Sequence, residues 1–124
     1  MRFLATLALA LAALPALAAD LVMVEQPGCA YCRQWDTEVS EEYPKTDEGR
    51  AAPLVRVQLR DVQAGDTAYD FARPVNFTPT FVLVEDGAEL ARIEGYPGED
   101  FFWGLLGMML TAQIGFEPAT PLDG

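Results

Sequence analysis

Both cysteines of this 124-residue chain lie in one short stretch, Glu25-Gln26-Pro27-Gly28-Cys29-Ala30-Tyr31-Cys32, between an apolar run and a helix-compatible segment. A helix beginning at Cys29 puts the two sulfurs, at i and i+3, on one face of its first turn and within bonding reach. Such a pair can open and close. Unpaired N–H groups and the positive end of the helix dipole favour a thiolate at the helix start and lower its pKa, which fits Cys29 as a nucleophile. Cys32, one turn further in, is expected to be shielded and suited to closing a mixed disulfide. A bridge across so short a loop restrains the unfolded chain little, so a purely structural disulfide is a poor reading.

The N-terminus indicates the compartment in which this pair would work. Met1-Arg2 is a minimal basic start, Phe3 to Leu14 an apolar run, and Pro15-Ala16-Leu17-Ala18 a small-x-small cleavage site. These features predict a secretory signal peptide over 1–18, because the run is shorter than the roughly 20 apolar residues that span a bilayer. In an exported, oxidising compartment a disulfide persists. The remainder divides into a domain over 19–115 and a loosely held tail over 116–124. With 51% hydrophobic residues it can bury one core without metals or several disulfides. A net charge of −11 with no basic run disfavours nucleic acid and anionic lipid as partners.

Leu21-Val22-Met23-Val24 reads as a buried strand running into the turn before Cys29. A helix is expected over Cys29 to Val39, stopped near Pro44, then a connecting loop from Thr46 to Pro53. Leu54 to Arg60 alternates as a second strand, and Ala64 to Ala72 fits a short helix ending before Arg73-Pro74. Val75 to Val84 is a loop entering a strongly apolar strand, Asp86-Gly87 a hairpin turn, and Glu89 to Glu94 the fourth strand. Glu99 and Asp100 open a final helix to about Thr111. The order β-α-β-α-β-β-α predicts an α/β fold, a mixed sheet with helices on both faces.

A strand running into Cys29-x-x-Cys32 at a helix start, followed downstream by Thr78-Pro79-Thr80 before an apolar strand and hairpin, resembles the thioredoxin family over nearly the whole exported chain. The resemblance implies a four-stranded thioredoxin-like sheet and a cis Pro79. It also implies a Thr78-Pro79 loop that faces the dithiol and pairs with a client's extended chain. Tyr31, between the cysteines, would cover the outer sulfur and pack against a partner. Met23 departs from the pattern, since the family places a buried aspartate there. Glu25 lies nearer the site in sequence, with an exposed loop carboxylate as its expected role. Pro27 to Cys32, Tyr43 to Thr46 and Ala51 to Pro53 further resemble small periplasmic thioredoxin-like proteins of bacterial sulfur oxidation, which reduce a sulfur-carrier subunit.

These features imply a periplasmic thiol–disulfide oxidoreductase with no cofactor. Catalysis would rest on Cys29 and Cys32, and substrate binding on Tyr31, Thr78 and Pro79. Its partners would be a client bearing a disulfide or modified cysteine, for which the resemblance suggests a sulfur-carrier subunit, and a membrane thiol transporter as electron donor. A copper carrier using the two thiolates is the alternative from another class, although with no histidine and no third cysteine a closed zinc site is excluded. A glutathione-linked glutaredoxin is a third reading, for which Arg33 is the obvious basic residue near the site. Finally, Phe101 to Leu110 is apolar almost all round. Packing against sheet and tail is the expected explanation, and a docking surface for a donor or client the alternative.

Overall fold

The computed structural model describes residues 18–118. The signal-peptide expectation and the last part of the tail lie outside them. Four strands, β1 (Ala19–Glu25), β2 (Leu54–Gln58), β3 (Thr80–Glu85) and β4 (Ala88–Glu94), form one mixed sheet in the order β2-β1-β3-β4. β1 pairs parallel with β2 and antiparallel with β3, and β3 pairs antiparallel with β4. The expected mixed four-stranded sheet is therefore present.

Period-two alternation in the central strands feeds two cores. Leu21, Met23, Phe81 and Leu83 point to one face, where Trp35, Tyr43, Phe102, Leu106 and Leu110 cover them. Val22, Val24, Val82 and Val84 point to the other, under Leu59 and Val75. The larger core is aromatic: Trp35 packs 5.3 Å from Phe81 and 5.8 Å from Phe102, centroid to centroid. Asp86 and Gly87, at φ 52° and 78°, make the tight hairpin turn that Asp-Gly encodes.

The helices differ from expectation in three places. The first, α1 (Ala30–Trp35), begins after Cys29 and passes into a π turn over Asp36–Ser40, with a 3-10 turn at Tyr43–Lys45. The segment expected as a loop contains a helix, α2 (Asp47–Ala51). Thr46 caps it, its hydroxyl accepting from the Gly49 N–H at 3.0 Å, while Asp47 and Glu48 occupy its first turn. Third, the helix expected over Ala64 to Ala72 lies earlier, as α3 (Leu59–Gln63), so β2 ends at Gln58 and residues 64–79 run irregularly to β3. Leu59 is drawn inward by the second core, which takes the alternating pattern out of the strand.

The final helix, α4 (Glu99–Ile114), ends at left-handed Gly115. Phe116 is not loose: it packs on the core, its N–H reaches the Leu110 carbonyl at 3.3 Å, and its carbonyl accepts from Thr111 Oγ1 at 3.0 Å. The expectation that α4 is fully absorbed by packing is overturned. Phe102, Leu106, Met109 and Leu110 are buried, but Phe101, Leu105 and Met108 are exposed.

Two glycines give opposite expectations for the same substitution. A Cβ at Gly49 would lie 1.8 Å from the Tyr43 carbonyl oxygen, whereas one at Gly107 meets nothing within 4 Å. Gly49→Ala should therefore destabilise by at least about 1–3 kcal/mol through forced backbone movement. Gly107→Ala should stabilise by about 0.5–1 kcal/mol through helix propensity. Urea titration of both variants checks the pair, and equal midpoints would contradict it.

Candidate active site

Strand pairing decides where the candidate residues meet. β1 ends beside the start of β3, with Val24 opposite Thr80, so the loops 26–29 and 77–79 emerge at the same end of the sheet. Gln26 to Cys29 is a tight turn in which the Cys29 N–H reaches the Gln26 carbonyl at 3.3 Å. Pro27 presets the second position, and Gly28 supplies the φ of 78° that the third requires. This turn delivers Cys29 to the N-cap of α1.

Cys29 and Cys32 are joined as a disulfide with Cα atoms 5.2 Å apart. The Cys32 N–H donates to Cys29 Sγ at 3.2 Å, so one of the helix's free amides is aimed at that sulfur. Cys32 is buried in the aromatic core, while Cys29 is half-buried at its edge. Tyr31 projects from the turn of helix between them, 61% exposed.

The Thr78-Pro79 loop is fastened from both sides. The Thr78–Pro79 peptide bond is cis. The Pro79 carbonyl accepts from the Gly95 N–H at 2.8 Å, and buried Thr80 donates its hydroxyl to the Phe77 carbonyl at 2.6 Å. Gln26 Nε2 donates to Thr78 Oγ1 at 2.8 Å, bridging this loop to the dithiol turn. The structure thus brings Thr78 into contact with the turn that carries Cys29. It also leaves Phe77 62% exposed beside Thr78. The sequence reading gave no role to Gln26 or Phe77. A glutamine in a turn is an ordinary surface residue until the partner 52 positions away is known.

The surroundings of Glu25 differ from expectation. Met23 is fully buried in the aromatic core, and its partner across the parallel ladder is Arg56. The Arg56 guanidinium donates to Glu25 at 2.7 Å, Asp36 at 2.6 Å and Ser40 Oγ at 3.0 Å, with its carbon 5.6 Å from the Trp35 ring centroid. Glu25 is therefore not an exposed loop carboxylate but the ion-pair partner of an arginine at the end of β1. The two carboxylates hold the Arg56 charge, outweighing the burial that opposes it. This cluster pins β1 before the dithiol turn and the helical run after it. Arg33 is exposed on α1. Among the described residues no group of three or more His, Cys, Asp or Glu side chains could hold a metal.

Tyr96, just beyond β4, is buried over Phe102 and donates to Glu38 at 3.3 Å. Burial, with the nearby negative charge of Glu38, pushes its phenol up to about 12. It is a structural phenol and no acid at neutral pH.

A half-buried sulfur at a helix cap, disulfide-bonded to a buried one on a turn tied to the Thr78-Pro79 loop through Gln26, is equipped for thiol–disulfide exchange. The profile of the thioredoxin-like domain family matches residues 16–109. Among solved structures, the reduced form of the periplasmic thioredoxin SoxS from Paracoccus pantotrophus is 54% identical with a TM-score of 0.69, the match covering 74% of this chain and 95% of that one. Thioredoxins from Malassezia sympodialis and Halobacterium salinarum share the fold at 15% and 22% identity, with TM-scores of 0.56 and 0.55. The first match covers 76% of this chain and 79% of that one, the second 82% and 80%. No curated protein is similar enough to this chain to count as a match.

Proposed function

Since the chain belongs to the thioredoxin-like family and is a thiol–disulfide oxidoreductase, we propose that it works in the periplasm as a reductant of a sulfur-carrier protein. Residues 1–18 act as the export signal and 19–115 as the working domain. The periplasmic neighbour at 54% identity supports the compartment, and the client class follows from the resemblance of residues 27–32, 43–46 and 51–53 to the thioredoxin-like proteins of sulfur oxidation. The observation that carries the chemistry is the asymmetry of the pair, Cys29 at the helix cap and half-buried, Cys32 buried behind it.

In the reduced protein the Cys29 thiolate attacks a client disulfide. One client sulfur leaves as a thiolate and the other forms a mixed disulfide with Cys29. Cys32 then attacks the Cys29 sulfur, releasing the second client thiol and closing the Cys29–Cys32 bond. Two electrons have passed to the client. A membrane thiol transporter returns two electrons by the same exchange in reverse. Tyr31 and the Thr78-Pro79 loop flank the reacting sulfur and hold the client's extended chain.

Alkylation of the reduced protein at mildly acidic pH should modify Cys29 before Cys32, because the cap lowers its pKa and the core shields its partner. Peptide mapping checks this, and faster labelling of Cys32 would exchange the two roles. The client is decided by trapping in the periplasm with Cys32→Ser, where the second attack has no thiol. A sulfur-carrier subunit held covalently through Cys29 is the expected result. A spread of unrelated disulfide proteins would make the chain a general reductase instead.

A further inference from the structure

Helix α4 carries a second apolar stripe that the fold does not use. Its sequence contains three doublets, Phe101-Phe102, Leu105-Leu106 and Met108-Met109. The second member of each turns into the core and the first turns out. Phe101 is 72% exposed, Leu105 41% and Met108 71%. At i, i+4 and i+7 they share one side of the helix. With Asp100 and Gly104 they line an open groove of about 390 Å³. A Cβ at Gly104 would meet nothing within 4 Å, so no internal contact calls for glycine at a position where glycine weakens a helix. The missing side chain instead opens the groove floor to a body approaching from outside.

Charge selects among the bodies that would fit. The charged residue of the groove is Asp100, with Glu99 beside it in the first turn, on a chain of net charge −11. A second copy would set acid against acid, and an anionic bilayer would do the same. We propose that the outer face of α4 docks a peptide segment of a partner protein, one presenting two or three large apolar side chains flanked by Lys or Arg. The apolar side chains would fill the groove between Phe101, Leu105 and Met108 over Gly104, and the cations would meet Glu99 and Asp100. None of these residues belongs to the dithiol turn or the Thr78-Pro79 loop, so the surface stands whether or not the sulfur-carrier reading does.

The test uses the full chain and two synthetic amphipathic peptides of about 16 residues with the same Leu/Phe stripe, one flanked by Lys and one by Glu. Titration followed by NMR should show the Lys peptide shifting resonances over 100–108, with affinity at least about tenfold above that of the Glu peptide. Leu105→Glu should weaken binding by at least about tenfold. Gly104→Leu should do likewise by filling the groove, and because leucine is the better helix former, unchanged circular dichroism separates this loss from unfolding. Equal affinity for both peptides, binding of neither, or shifts centred elsewhere would overturn the proposal. So would a dimer in sedimentation that Leu105→Glu dissolves, or binding of phosphatidylglycerol vesicles in place of peptide.

Discussion

Cys29→Ser should reduce disulfide-reductase turnover to the uncatalysed background and leave no mixed disulfide. Cys32→Ser should also abolish turnover while retaining a single covalent event. The difference follows from the order of the two attacks. A serine hydroxyl at position 29 cannot attack a disulfide at neutral pH, so the client never becomes attached. With serine at position 32 the first attack proceeds and the complex waits, since the sulfur that would displace it is missing. Stopped-flow measurement with a fluorescent disulfide, followed by non-reducing electrophoresis, reads both outcomes. One equivalent of released thiol from Cys32→Ser and none from Cys29→Ser is the expected pattern. The reverse would move the nucleophile one helical turn into the core, where the buried position of Cys32 opposes it.

The largest stability effect is expected outside the dithiol segment, at Arg92. Its side chain and that of Glu89 are each 3% exposed, and they meet at 2.7 Å beneath the segment that precedes the Thr78-Pro79 loop. Arg92 also donates to the carbonyls of Arg73 at 2.8 Å and Pro74 at 3.1 Å, while Glu89 accepts from the Ala72 N–H at 2.9 Å. Two side chains thereby hold three consecutive residues of irregular backbone. Arg92→Ala leaves a buried carboxylate without its paired cation, a loss of about 3 kcal/mol, the low end for buried pairs because the Ala72 N–H and the charge of Arg73 remain beside it. At about 4–8 °C per kcal/mol for a domain of this size, the melting temperature should fall by about 12–24 °C.

The Glu89 carboxyl sits below its ordinary range. Burial pushes it up but is outweighed by the hydrogen bonds from Arg92 and the Ala72 N–H and by the charges of Arg92 and Arg73. A pKa depressed in the folded state gives stability that is present above the ordinary glutamate range and lost as pH falls through the folded value. Glu89→Gln should therefore cost stability at neutral pH and flatten the decline on acidification. Chemical unfolding between neutral and acidic pH measures both. A variant as acid-sensitive as the parent would assign that sensitivity to other carboxylates.

Much of the site was legible because its elements are local in sequence. The Gln26-Pro27-Gly28 turn, the cap at Cys29 and the Asp86-Gly87 hairpin each depend on residues within a few positions of one another, so their chemistry can be read in place. α2 was legible in principle, since Thr46-Asp47-Glu48 is a cap followed by acidic first-turn residues, but Gly49 concealed it. That glycine is present because the helix crosses the Tyr43 carbonyl, a contact no local pattern reports. The failure at α3 has a different cause. Leu59 continues the alternation of β2 until the second core captures it, and only the packed sheet distinguishes the two outcomes. Gln26 with Thr78 and Arg56 with Glu25 and Asp36 join residues from separate elements, and they become visible only when strand register sets them side by side.

That register also leaves β2 and β4 as the two open borders of the sheet. A strand border with unpaired backbone groups invites a stray chain to extend the ladder, the route to cross-β aggregation. β2 carries Arg56 and β4 carries Glu89, Arg92 and Glu94, so each border strand holds charges already committed to partners within the molecule. An isolated bridge between Asp70 and Ala88 covers the first residue of β4 as well. An invading strand would have to part these ion pairs before it could seat its own side chains. The arginines that fasten the loops thus also act as gatekeepers, keeping a sheet with four apolar central residues on each face from templating its own polymer.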